Sequence, residues 1–335
     1  MQQASDKVGV LLCQVGTPDA PTKKALLPYL KNFLSDPRII DINPLIWKPI
    51  LHGIVLRTRP ARSAQLYKEI WTPEGSPLLT YSKLQVQGLQ ERLGPGYMVE
   101  LGMAYGGPSI PQAIKRMEAA GITRIVVLPL FPQFSVATTA SVFDEAYSAA
   151  SGRSFSGKSI VKKFVPSLRF VGPYYDNPSY IAALAGRTKR EVAKLAARPD
   201  MFVITFHGIP KRYADEGDPY PTHCQRTAEL LAQAMGWKES EWRIAYQSRF
   251  GREEWLGPYT AKVLEELPAL GVKRPCVIAP AFVTDCLETL HELGIEGRHL
   301  FAHAGGDPTL YSLIPCLNDD PQWLDFLAGL AQENA

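Results

Sequence analysis

Cys276-Val-Ile-Ala-Pro-Ala-Phe-Val-Thr-Asp-Cys-Leu-Glu-Thr-Leu-His-Glu-Leu-Gly-Ile-Glu296 runs from an apolar stretch straight into an acidic one. The apolar part reads as a buried strand and the acidic part as the helix that follows it. Asp285, Glu288, Glu292 and Glu296 are spaced 3, 4 and 4, so a helix carries all of them on one face. Like charges in that arrangement repel by about 0.2–0.5 kcal/mol per pair. A stripe that costs stability behind a buried strand suggests a site for cations or protons. Two plainer accounts stand beside it. Asp285 and Glu288 can form an N-terminal capping box, and Glu292 and Glu296 can form a solvated face.

The same strand-then-helix unit recurs outward from this segment. Short apolar runs at 8–13, 99–104, 125–130, 202–206 and 244–246 alternate with stretches of helical period at 81–93, 110–120, 180–197, 223–235 and 259–267. Such alternation predicts a parallel, doubly wound α/β sheet. The alternation starts afresh around 148–157, a run of small and polar residues. Two similar halves of about 150 residues each follow, which suits a chain of this length. The expected boundaries are 1–147 and 148–318. A last helix at 323–332, within a segment 319–335, is expected to return to the first half.

Composition narrows the function. With 46% apolar and 21% charged residues the chain is an ordinary globular protein. A net charge of +3, with no three Lys or Arg in succession, argues against nucleic acid. The cluster Arg57-Thr-Arg-Pro-Ala-Arg62 suits either an anion or an exposed loop. The N-terminal residues lack a signal-peptide pattern, and no 18-residue apolar run exists to span a membrane. Five scattered cysteines without a C-x-x-C pair fit reduced thiols in a cytoplasmic protein.

Open α/β sheets bind ligands beyond the carboxyl ends of their strands. The residues there are Gln14-Val-Gly-Thr-Pro18, Pro132-Gln-Phe-Ser135, His207-Gly-Ile-Pro210, Gln247-Ser-Arg-Phe-Gly251 and the acidic stripe. None is a dinucleotide or Walker phosphate loop, a nucleophile elbow or an H-E-x-x-H helix. His207 ends the run 202–206, and the Gly208–Pro210 turn would hold its imidazole at the sheet edge, although a lone histidine at such a place is often structural. A neutral imidazole accepts a proton or binds a borderline metal such as Fe2+. The segments 29–34 and 44–56 are rich in large apolar side chains, and read either as core or as an exposed lip for a flat apolar ligand or membrane surface.

Several motifs in order then carry a family resemblance: Phe206-His-Gly-Ile-Pro210, Arg212-Tyr-Ala-Asp-Glu-Gly-Asp218, Gln247-Ser-Arg-Phe-Gly-Arg252 with Trp255-Leu-Gly-Pro258, and Asp285-Cys-Leu-Glu-Thr-Leu290. Gly16-Thr-Pro18, Gly75-Ser-Pro77 and Leu130-Phe-Pro-Gln-Phe-Ser135 support them. Nearly end to end, the sequence resembles the ferrochelatases, which insert Fe2+ into a porphyrin to make haem. The resemblance implies two Rossmann-like, chelatase-type domains, each a parallel sheet flanked by helices, with an active-site cleft between them. It makes His207 the active-site histidine and Glu288 its partner, the pair serving as catalytic and metal-binding residues. Glu292 and Glu296, with Asp285, would form a relay toward the surface. Arg59, Tyr67, Ser76, Tyr105, Trp255 and Val15 would contact porphyrin, and Arg59 or Arg57 would meet its propionates.

The resemblance also sets expectations about partners and cofactors. Protoporphyrin IX is the expected substrate, with coproporphyrin III as the alternative; the Phe206-His-Gly-Ile-Pro210 turn, with Gly208 where the coproporphyrin type commonly has Ser after the His, resembles the first. A cobalt chelatase of corrin synthesis and a non-catalytic tetrapyrrole carrier are further readings, and the acidic stripe argues against a carrier. No tightly bound cofactor is expected, and no iron–sulfur cluster. Only Cys316 lies beyond Cys286, and Val136 stands where animal forms have a cluster cysteine. Gln14-Val15 departs from the Asn that many members carry. The expected protein is a cytoplasmic monomer or homodimer that touches a membrane peripherally through its lip.

Overall fold

A computed structural model describes residues 6–153, 162–251 and 253–335. Residues 1–5, positions 154–157 of the small-residue stretch, and Arg252 of the Gln247–Arg252 motif lie outside the described residues. The chain forms two compact units. The first comprises described residues of 1–131, 135–172 and 324–335; the second comprises 132–134 and those of 173–323.

The first unit contains β1 (Val8–Thr17), β2 (Tyr97–Gly106), β3 (Arg124–Pro129) and β4 (Ser167–Phe170), in the order β2-β1-β3-β4. The second contains β5 (Met201–His207), β6 (Trp242–Gln247), β7 (Pro275–Ile278) and β8 (Ser312–Leu313), in the order β6-β5-β7-β8. Every pairing is parallel. Both sheets thus place their strands in the same order: second, first, third, fourth. The order reverses beside the first strand of each, between β1 and β3 and between β5 and β7. Crevices that bind ligands in open α/β sheets open at such points.

Burial explains the central strands. β1 and β5 are buried almost throughout, as strands covered on both faces must be. In the first unit the helix Ile110–Ala119 starts at a Ser109–Gln112 capping box. It packs Ile110, Ala113, Ile114 and Met117 with Leu11, Ile125 and Val127. In the second, Val263, Leu264 and Leu267 pack with Val203, Ala245 and Val277. Fully burying a side chain of this kind contributes about 1.5–3 kcal/mol.

The structure departs from the periodicity at four places. β4 and β8 are short edge strands, half exposed, and present no apolar run. Because β4 pairs with β3, the first unit extends to Gly172, and the helix Ser141–Ser151 spans the boundary expected at 147. β7 stops at Ile278, before the apolar stretch that opens at Cys276 has ended, since Pro280 has no N–H for a ladder. The helix expected over 180–197 is Pro178–Val192, followed by tight turns at Lys194 and Leu195. In the last helix, Pro321–Glu333, Trp323 packs with Tyr174 and Tyr180 of the second unit. From Leu324 onward it belongs to the first, where Asp325 pairs with Arg92 at 2.6 Å.

The segment 44–56 divides residue by residue between core and solvent-exposed positions. It forms a short helix Pro44–Ile50, a π-helical turn Leu51–Val55 and the helix Leu56–Ile70. Trp47 and Leu51 are buried, and the Trp47 indole donates to the Leu34 carbonyl at 2.7 Å. Leu45, Ile46 and Ile54 face solvent, at 85%, 59% and 61% exposure. Among the described residues no helix is long and apolar enough to cross a membrane.

Candidate functional site

The carboxyl edge of the second sheet gathers the polar residues. His207 closes β5, and its Nδ1 lies 2.6 Å from the Gly208 carbonyl. A carbonyl only accepts, so Nδ1 carries a proton, and in the neutral ring Nε2 is the nitrogen that presents a lone pair. Gly208 in turn donates to the Gln247 carbonyl at 2.8 Å. A Cβ on Gly208 would lie 3.0 Å from that oxygen and 3.1 Å from Trp255 Cε3, so glycine leaves the room in which the indole closes over the turn. The 207–211 turn is fixed further by the Pro210–Trp255 bridge and the Leu256 N–H bond to the Ile209 carbonyl. The Trp255 and Phe282 rings each lie 6.3 Å from the imidazole.

The acidic stripe follows β7 as a π-helical turn, Glu288–Glu296, continuous with the helix Gly297–His303. π-helical turns are rare and concentrate at functional sites. The structure separates the four carboxylates. Asp285 is buried and accepts from Asn318 Nδ2 at 2.7 Å, from the Thr289 hydroxyl at 3.0 Å and from the Cys316 N–H at 3.3 Å. It therefore anchors the start of the turn. The reach-back of the expected capping box comes from Thr289, whose hydroxyl accepts from the Cys286 N–H at 3.0 Å. Glu296 is exposed, and its carboxylate lies 3.7 Å from Nδ1 of the buried His291.

Glu288 and Glu292 stay at the sheet edge. The Glu288 carbonyl accepts from Gln247 Nε2 at 3.1 Å, and its carboxylate takes a hydrogen bond from the Cys286 thiol. Burial first, and then that carboxylate, hold the thiol well above its usual pKa. Glu292 accepts from the Ser248 N–H at 2.7 Å and from the Ser248 hydroxyl at 2.5 Å. Burial raises its carboxyl above the ordinary range and the Glu288 charge adds to this, while Ser248 and His207 pull the other way. Glu292 is thereby in electrostatic contact with both His207 and Glu288 at the β5–β7 reversal. Among the described residues no group of three or more His, Cys, Asp or Glu forms a ready metal cage.

The first unit holds the remaining expected residues. Tyr105, on β2, is buried; its hydroxyl donates to Asp36 Oδ2 at 2.5 Å and lies 2.9 Å from the Ser141 hydroxyl, which itself donates to Asp36 at 2.7 Å. Burial and the Asp36 charge keep the phenol protonated. Gly16, at φ +118°, makes this packing possible, because a Cβ there would fall 1.6 Å from the Tyr105 carbonyl. Ser76 is buried, with its hydroxyl 2.8 Å from that of Thr17. Tyr67 is buried edge-on to Trp71, and Val15 and Arg59 are half-buried. Sequence reasoning missed Asp36, Ser141, Ser248 and Phe282. None belongs to a periodic pattern; only Ser248 carried a signal, its place just past a strand.

Two like-ordered parallel sheets, the second with an imidazole and carboxylates at its strand-order reversal, define an α/β protein of two doubly wound units with a candidate proton- or metal-handling site. The same fold occurs in SirB of Bacillus subtilis, solved with Fe3+ (TM-score 0.53, 14% identity, 98% of this chain and 96% of that one). It occurs also in a multi-domain protein of Deinococcus radiodurans described as similar to chelatases (TM-score 0.53, 13% identity, 99% of this chain and 56% of that one). The Ferrochelatase family model matches residues 7–335. Curated relatives include ferrochelatase 1 of Shewanella oneidensis, 48% identical over 99% of this chain and 97% of that protein. The ferrochelatase of Chromobacterium violaceum is 46% identical over 98% and 88%, and that of Yersinia pestis 45% identical over 98% of each. The chain belongs to the ferrochelatase family of porphyrin metal chelatases.

Proposed function

We propose that the protein inserts Fe2+ into protoporphyrin IX, forming protohaem for haem biosynthesis and releasing two protons. The observation that carries this reading is the meeting of His207 with Glu288 and Glu292 at one sheet edge, in a chain of this family. The chemistry needs those groups. Each of two pyrrole N–H bonds breaks as iron enters, so a base must sit at the ring face. The incoming ion exchanges water for imidazole or carboxylate ligands. His207 accepts a pyrrole proton at Nε2 while Glu288 holds iron; the reverse sharing is the alternative. Glu292, whose burial favours the protonated form, receives protons, and exposed Glu296 passes them to solvent. Asp285 supports the turn. Val15, Arg59, Tyr67, Ser76, Tyr105 and Trp255 contact the macrocycle, and a rigid aromatic wall favours the distorted ring that metal insertion requires.

Anaerobic Fe2+ or Zn2+ insertion into protoporphyrin IX and coproporphyrin III, followed by visible absorption, tests the reading. Faster turnover of coproporphyrin III would reassign the substrate. Porphyrin binding without metallation of either would leave a non-catalytic carrier. General-base catalysis contributes about 10²–10⁴-fold, so His207→Ala should lower kcat on that scale while porphyrin still binds; near-normal turnover would remove His207 from the mechanism. The exposed Leu45, Ile46 and Ile54 support peripheral membrane contact by a cytoplasmic protein, or a homodimer face. Vesicle flotation and sedimentation separate these. No iron–sulfur cluster is proposed, which labile-sulfide content of the purified protein checks.

A further inference from the structure

Only two non-glycine residues among those described adopt positive φ: Ser248 at 65° and Asn318 at 50°. Each grips a carboxylate of the acidic stripe. Asn318 holds Asp285, and Ser248 holds Glu292 through both its N–H and its hydroxyl. Left-handed backbone is unfavourable for serine and free for glycine. Here it turns two donors onto one carboxylate, so that each Glu292 oxygen is fixed separately.

The neighbouring residue fixes the clamp in turn. Gln247 is buried, and its Oε1 accepts from the Thr205 hydroxyl at 3.3 Å, which lies 2.7 Å from the Thr260 hydroxyl. That contact sets the amide orientation. Nε2 is therefore directed at the Glu288 carbonyl, at 3.1 Å, and the Glu292 carboxylate, at 3.4 Å. The backbone bonds of a π-helical turn leave its side chains to be held from outside the turn. The end of β6 supplies that hold.

We propose that Ser248 is a positioning residue for metal insertion: it acts through Glu292, holding that carboxylate in register with His207. The assignment rests on the chelatase function proposed above. It separates stability from rate. Ser248→Gly relieves the left-handed backbone and removes the hydroxyl donor, so the melting temperature holds or rises while activity falls.

Steady-state Zn2+ insertion by the full-length chain provides the test, with wild type, Ser248→Gly, Glu292→Gln and the double variant. The expected result is a kcat about tenfold lower for Ser248→Gly, with KM for porphyrin within about twofold of wild type. In the Glu292→Gln background the same substitution should bring no further loss, because the group it positions no longer reacts. Ser248→Gly at full kcat would overturn the proposal, as would full activity in Glu292→Gln or losses that multiply in the double variant. If wild type metallates no porphyrin, the function itself fails and this assignment falls with it; wild-type turnover with unimpaired Ser248→Gly sinks the assignment alone.

Discussion

Gly208→Ala tests how the turn presents His207. The added methyl would sit 3.0 Å from the Gln247 carbonyl and 3.1 Å from Trp255, about 0.3–0.4 Å short of ordinary contact. Neither neighbour is a flexible chain end: one is strand backbone, the other a ring wedged over the turn. Overpacking of this kind costs about 1–3 kcal/mol. The backbone of Gly208 lies outside the left-handed region, so alanine recovers about 0.4–1 kcal/mol through the unfolded chain. A net loss of about 0–2.6 kcal/mol remains, centred on about 1.3 kcal/mol. In a unit of this size that corresponds to a melting temperature lower by about 2–6 °C. The same strain moves the Gly208 carbonyl that fixes the His207 tautomer at 2.6 Å. A misplacement of about 1 Å costs roughly 10²-fold in rate, and a shift of a few tenths should cost about tenfold in kcat. Thermal unfolding and Zn2+ insertion measure both. Gly329→Ala is the control, because its Cβ meets open space within a helix, and it should stabilise by about 0.5–1 kcal/mol. An unchanged melting point with full kcat in Gly208→Ala would refute the reasoning.

Asp285→Ala strips Asn318 Nδ2 and the Cys316 N–H of their acceptor, while the Thr289 hydroxyl keeps the Cys286 carbonyl at 3.3 Å; at about 1–3 kcal/mol for each unsatisfied group it should lower stability by about 2 kcal/mol or more, seen in urea unfolding. Glu292 protonates more readily folded than unfolded, so its contribution to stability is complete below pH of about 4.5 and is lost as pH rises through the folded value. Glu292→Gln should therefore melt higher than wild type at neutral pH, with the gap closing toward pH 4. His223, stacked on Tyr175, accepts the Phe134 N–H at 3.2 Å, and burial lowers its pKa against the opposing pull of Asp176 and Asp218. Below pH of about 6.5 the unfolded chain takes a proton that the folded chain resists, so stability falls on acidification, and His223→Gln should flatten that slope.

The central strands were legible because burial on both faces demands unbroken apolar runs, as in β1 and β5. The edge strands were not. Ser167-Leu-Arg-Phe170 and Ser312-Leu313 owe their extended state to a parallel neighbour far away in sequence, and no local pattern encodes it. The π-helical turn was also hidden. Spacings of 3 and 4 fit an α-helix, and a wider turn keeps residues four apart on nearly one side as well, so charge periodicity alone does not distinguish them.

Charge periodicity misleads in another way, since it assigns one role to all four carboxylates. The fold gives them different surroundings. Asp285 is closed in by Asn318, Thr289 and Cys316, Glu296 reaches solvent, and only Glu288 and Glu292 remain at the edge beside His207. The cause lies in strand order. Because β5 stands between β6 and β7, the segment after each neighbour converges on the end of β5. Gln247 and Ser248 arrive from one side, the acidic turn from the other, and they bond to each other there. A carboxylate that burial pushes toward its neutral form, while donors from a neighbouring strand hold the ionised form in place, suits proton or metal transfer more than stability. The stripe is therefore a graded series, buried anchor to solvent, with the members proposed to react in the middle.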